Sequence, residues 1–180
     1  MDSIMARYRR WNNITGWLMF LISAVVYLMT VEPSVSFWDC GEFILSANRL
    51  QVGHPPGAPL FLMMGRIAAL FAGGDATKVP LMINRFSALC SGLAIMFLFW
   101  TITHLVRRIF TRNNQLEEKH ILVILASGVI GAMAYTFSDT FWFSAVEGEL
   151  YALSSLILGL VFWAMLKWEE EADEPTSGRW

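Results

Sequence analysis

Apolar residues fall along this chain in long unbroken blocks, not in a strand-like alternation. Ile14 to Val31 is the first block, interrupted only by Thr15, Gly16, Ser23 and Thr30. Others cover about 83–106, 120–137 and 150–166. A bilayer core takes ~20 apolar residues per helix, so three blocks qualify and the fourth is marginal. The pattern predicts an all-α, polytopic membrane protein of about four spans. A first outer loop would run over 32–82 and a second over 138–149. A cleaved leader would have a shorter apolar core and a small-x-small site. The first block ends instead in Thr-Val-Glu-Pro, so we expect an uncleaved span.

The first loop carries a pattern of its own, centred on Phe37 to Gly57 (FWDCGEFILSANRLQVGHPPG). Wound as a helix, Asp39, Glu42, Ser46 and Arg49 share a stripe about 80° wide, with Phe37, Cys40, Ile44 and Ala47 opposite. Such a helix would lie on a membrane surface or a protein core, acids outward. His54-Pro55-Pro56-Gly57 sets an extended turn, because each proline fixes its own φ and restricts its predecessor. Leu60 to Phe71 is apolar but short and carries Arg66, which suits an interfacial or re-entrant helix. Gly73-Gly74-Asp75 ends it.

Composition agrees: 56% of the 180 residues are hydrophobic and the mean hydropathy is +0.49, above the soluble norm. Eight tryptophans suit membrane interfaces. The net charge of -2 gives no reason to expect nucleic acid. Of 13 basic residues, nine lie in the N-terminal tail, the loop RRIFTRNNQLEEKH and the C-terminal tail. Only Arg49, Arg66, Lys78 and Arg85 fall on the other side. The positive-inside rule then places both termini in the cytoplasm and both acidic loops on the outer face. Cys40 and Cys90 form no CxxC; they read as small buried side chains, with a disulfide left open.

Asp39 and Glu42, three apart, share a helix face. Two acids in a partly desolvated site push one pKa upward, which suits general-base work. The plainer alternative is helix capping, since Ser36-x-x-Asp39 resembles a capping box. His54 could bind a phosphate or donate a proton. Arg49, Arg66 and Arg85 could hold a phosphate group or simply snorkel to the interface. In the second loop the acids are Asp139, Glu147 and Glu149. Glu147 and Glu149 would diverge on one helix unless Gly148 breaks it. Asp39, Glu42, Asp139 and His54 could ligate a divalent metal, but their spacing fits no standard site, which leaves such a cofactor unsupported. The chain has no phosphate-binding P-loop, Ser/His/Asp spacing or HExxH.

Taken together, WDCGEF, the downstream GHPPGAPL and the Asn84-to-Leu89 run N-R-x-S-A-L resemble the N-terminal part of the GT-C membrane glycosyltransferases. The likeness is to the protein O-mannosyltransferase-like group, and within it to a bacterial transmembrane branch long catalogued as a domain of unknown function. The resemblance implies a bacterial inner-membrane protein with periplasmic acidic loops, and a chain that is the N-terminal part of something longer. It implies transfer of a sugar from a polyprenyl-phosphate donor to a protein or peptide hydroxyl, with inversion. Asp39 would be the base, Glu42 its neighbour, and one second-loop acid would face donor or acceptor. Membrane lipid and a further copy of the chain are the other partners it suggests. This chain departs from the mannosyltransferases in separating its two first-loop acids by two residues. A non-catalytic membrane subunit of the same fold is the alternative. A transporter is disfavoured, because the spans are nearly free of charge.

Overall fold

The computed structural model describes residues 2–111 and 116–172. Arg112 and residues 173–180 of the polar C-terminal tail, Arg179 among them, lie outside the described residues. Those described fold into seven α-helices and no strand: α1 (Asp2–Thr30), α2 (Cys40–Arg49), α3 (Pro59–Leu70), α4 (Val79–Thr111), α5 (Glu118–Thr136), α6 (Asp139–Val146) and α7 (Leu150–Glu171). Four of them, α1, α4, α5 and α7, are long and apolar enough to cross a membrane. The expected all-α, four-span architecture is therefore present.

α4 is the axis, packing against every other helix. Its sequence explains this, because small residues (Ser87, Ala88, Ser91, Gly92, Ala94) are interspersed with Ile83, Ile95 and Phe99, all of them buried. Between apolar helices in lipid, packing rather than hydrophobicity drives association, so small residues that admit a neighbouring backbone are favoured. At Gly92 an added Cβ would meet Ala24 at 3.1 Å from its Cβ and 3.3 Å from its backbone nitrogen. α7 is the contrast: only 11% of its apolar window is buried, against 50% for α4. Leu158, Val161, Phe162 and Met165 face outward from it.

The first loop departs from the expected pattern at both ends of its amphipathic stretch. α2 starts at Cys40, because Trp38 takes a positive φ of 63° and turns the chain before it. Phe37, expected on the packed side, is consequently 88% exposed. Ser46, expected on the outward stripe, is buried. There the chain reverses at Leu50 (φ 51°), and the Gln51 amide donates to the Ser46 carbonyl at 2.9 Å, a Schellman-like closure that folds the following residues over Ser46. Cys40, Ile44 and Ala47 are buried as expected. α3 fulfils the short apolar helix, beginning at Pro59.

The second loop holds a helix the hydropathy blocks did not separate. α6 buries Phe141, Ala145 and Val146 on one face. α7 runs past its expected end because its polar extension is paired. Glu169 accepts two bonds from Arg108, at 2.6 and 3.0 Å, and Glu170 accepts from Arg107 and Lys167.

Gly92→Leu is expected to lower the thermal midpoint of the purified protein by the equivalent of about 1–3 kcal/mol. Gly92→Ala should cost less. A leucine variant as stable as wild type would contradict the close α1–α4 approach.

Candidate functional site

The two acidic loops meet at the first turns of α4. Asn84 is almost fully buried, and its amide donates to the carbonyls of Glu32 (2.7 Å) and Ser34 (2.9 Å). The Glu32 amide in turn donates to the Val146 carbonyl at 3.1 Å, joining the first loop to the end of α6. Between α6 and α7 the chain is extended at Glu147 (φ -120°, ψ 156°) and at Glu149 (φ -118°, ψ 161°). The chain turns tightly at Gly148, where the Glu149 amide donates to the Glu147 carbonyl at 3.0 Å, and the turn sets both carboxylates toward one side. Gly148 between them lies against Asn84 Oδ1 and Ile44, which an added Cβ would meet at 2.8 and 3.0 Å. Gly148 therefore breaks the helix, the one condition under which both glutamates could act together.

Both carboxylates reach the Cys40 thiol, with Sγ 3.4 Å from Glu147 and 3.2 Å from Glu149. Burial, reinforced by the two acids, holds this thiol protonated well above the ordinary cysteine range. One S–H thus serves two carboxylates. The donor atoms of the three side chains lie within 4.8 Å of one another, and they are the group among the described residues that could hold a cation. The metal-ligand set considered from sequence (Asp39, Glu42, Asp139, His54) is not the set brought together. Cys40 and Cys90 are free thiols.

The other face of α2 is organised by a different pair. Glu42 accepts from the His54 backbone amide at 2.6 Å through Oε1, and its Oε2 lies 3.0 Å from His54 Nδ1. Gly53 leaves room for this, since a Cβ there would sit 3.0 Å from Glu42 Oε1. The two His54 bonds hold the Glu42 carboxyl below its usual range, and Glu42 raises the His54 pKa, with Asp39 adding to the field. The expected upward push between paired acids is reversed at Glu42, whose near neighbour is His54. Asp39 stands exposed at the N-cap of α2, and its side chain makes no capping bond. The capping box with Ser36 does not form, because the helix starts one residue after Asp39.

The three arginines separate. Arg66 donates to the Asn48 carbonyl (2.7 Å) and side-chain oxygen (2.9 Å). With Arg49, Asn48 and Leu50 it lines a cavity of about 280 Å³. Leu50 also lines an apolar cavity of about 360 Å³ formed with Val52, Pro56, Pro59, Leu62 and Met63. Arg85 is exposed on α4 and lines neither cavity. Asp139 is exposed in the first turn of α6, apart from the Cys40 cluster.

Residues 39–180 match the model of the protein O-mannosyl-transferase TMEM260 N-terminal domain. The chain belongs to that family. It is 28% identical over 144 residues to the protein O-mannosyl-transferase tmem260 of Dictyostelium discoideum, covering 80% of this chain and 16% of that protein. Against the Mus musculus protein O-mannosyl-transferase TMEM260 it is 30% identical over 154 residues, covering 84% of this chain and 19% of that protein. The chain thus spans under a fifth of the length of these relatives. No solved structure matches it. The resemblance carried by WDCGEF, GHPPGAPL and the Asn84 run is borne out.

Sequence reasoning did not single out Cys40 or Asn84 as parts of this cluster. Cys40 was available as the centre of WDCGEF, and Asn84 as the first residue of a family-like run. Neither carried a local signal of its partner, which lies 107 or more residues away for Cys40 and 52 for Asn84.

Because the His54 pKa is raised, its pairing with Glu42 is at full strength below pH 6.5 and is lost as pH rises through the raised value. At the acid end it is lost as pH falls through the lowered Glu42 value. Ring-labelled histidine NMR should give a His54 midpoint above 6.5 that returns toward 6.5 in Glu42→Gln. A midpoint unmoved by that substitution would contradict the pairing.

Proposed function

We propose that this chain is the N-terminal, base-bearing module of a membrane glycosyltransferase. It would transfer a sugar, mannose on the family's naming, from a polyprenyl-phosphate donor to a Ser/Thr hydroxyl. The observation that supports this best is the division of labour on α2. Glu42 is engaged by His54, while the neighbouring Asp39 carboxylate stands exposed at the helix start with no capping duty. A carboxylate so placed is able to take a proton from an incoming hydroxyl.

The chemistry needs few parts. The acceptor O–H gives its proton to Asp39, and its oxygen attacks the anomeric carbon. The bond from that carbon to the donor phosphate oxygen breaks, and the phosphate leaves with the electron pair, inverting the centre. Arg49 and Arg66 would receive the leaving phosphate, since guanidinium matches its geometry. The adjoining apolar cavity would seat the first isoprenoid units. Protonated His54 adds positive charge nearby. Charge on the leaving phosphate is met by these cations, so we expect no obligatory metal. In this reading the acidic loops face outward, periplasmic in a bacterial inner membrane, with both termini in the cytoplasm.

Asp39→Asn in membranes carrying the native-length protein should lower release of polyprenyl phosphate to a Ser/Thr-rich acceptor by about 10²–10⁴-fold, with EDTA leaving wild-type turnover intact. Equal turnover in both proteins would remove Asp39 from the mechanism, and loss with EDTA would sink the metal-free chemistry. No turnover with any donor, from folded protein, would favour a non-catalytic subunit.

A further inference from the structure

The opposite end of the bundle holds a second site, unconnected with the acidic loops. A cavity of about 250 Å³ opens between the start of α1 and the last turns of α4 and α7, walled by Trp100 and Trp163. Three cations line it (Arg9, Arg107 and Lys167) against one acid, Glu170. Glu170 accepts from Arg107 and, at 2.8 Å, from Lys167. Arg9 is exposed and has no ion pair among the described residues. The cavity therefore carries positive charge beyond what its own acid offsets.

It also presents unanswered polar atoms. His104 is 5% exposed; its Nδ1 lies 3.8 Å from Glu170, and its buried Nε2 has no partner. Asn12 Oδ1 is likewise buried and unpartnered. Buried polar groups without partners are costly, and more so at membrane depth. Together they ask for a ligand with an anionic centre and at least one hydroxyl or other donor.

Depth and size narrow the class. Trp11, Trp17, Trp100, Trp163 and Trp168, five of the eight tryptophans, gather near this end, as aromatic side chains do at headgroup level. Drug-sized ligands fill roughly 300–1,000 Å³, so this cavity suits a phosphate with a small polyol and not a nucleotide. The outward face of α7 (Leu158, Val161, Phe162, Met165) runs from it into the hydrocarbon, where acyl chains would lie. Basic pockets between membrane helices take lipid headgroups in this way.

We propose that this cavity binds the phosphate of an anionic, hydroxyl-bearing phospholipid headgroup, in the leaflet away from the acidic loops. Native mass spectrometry of the purified native-length protein tests it, using phosphatidylglycerol, phosphatidylcholine of the same chains, and soluble glycerol phosphate. Phosphatidylglycerol should be retained over phosphatidylcholine. Removing one cation should weaken its retention about fivefold, so Arg9→Gln loses about that and Arg9→Gln with Lys167→Gln about 25-fold. Arg108→Gln, whose partner Glu169 lies outside the cavity, should leave retention unchanged. Equal retention of both lipids would overturn the proposal, as would an equal loss in Arg108→Gln, which would mean surface charge alone. Glycerol phosphate binding as tightly as the lipid would also overturn it, assigning the cavity to soluble phosphates.

Discussion

The end of the structure that carries the acidic loops depends on one buried amide. Asn84 donates both of its hydrogens to backbone carbonyls of the first loop, at Glu32 and Ser34, and its oxygen backs onto Gly148 of the second. Irregular chain at the edge of a bilayer has little water to satisfy it, so each carbonyl left unpaired would cost about 1–3 kcal/mol. Asn84 answers two of them from the most buried of the four span-length helices. With 32–34 pinned, the turn at Trp38 sets the start of α2. Cys40 then falls beneath Glu147 and Glu149, and Asp39 is left outside. The position of the candidate base is thus a consequence of where α4 holds the loop.

α4 also separates two electrostatic environments. Its first turns hold carboxylates gathered around a protonated thiol, together with a His54–Glu42 pair on the outer face of α2. Its last turns hold Arg107 and Arg108, paired with Glu170 and Glu169 of α7. The charges that α7 carries past its apolar stretch are stable there because α4 supplies partners. Both ends owe their order to side chains on a single helix, with a core of small residues between them.

The spans were legible because continuous apolar blocks report the bilayer directly. The buried face of α2 was legible because Cys40, Ile44 and Ala47 follow the helical period. What was not legible depends on contacts distant in sequence. Glu42 looked like a partner for Asp39, three residues away, yet its carboxylate is taken by His54, which the reversal at Leu50 brings back over the helix. Arg49, Arg66 and Arg85 looked equivalent as cations, but only the first two share a cavity. Glu147 and Glu149 come together only because the chain breaks from helix and turns at Gly148, an exception the sequence stated but could not choose. α6 escaped notice because eight residues bury one face without forming a span-length block.

The claim that the two acidic loops form one unit is tested most directly by a double-mutant cycle on thermal stability in the native-length protein, using Cys40→Ala, Glu149→Gln and the pair. Side chains in contact couple by about 0.5–3 kcal/mol, so the double variant should depart from the sum of the singles by an amount in that range. Strict additivity would contradict the account, because it would mean that the first-loop thiol and the second-loop acid do not meet in the folded protein.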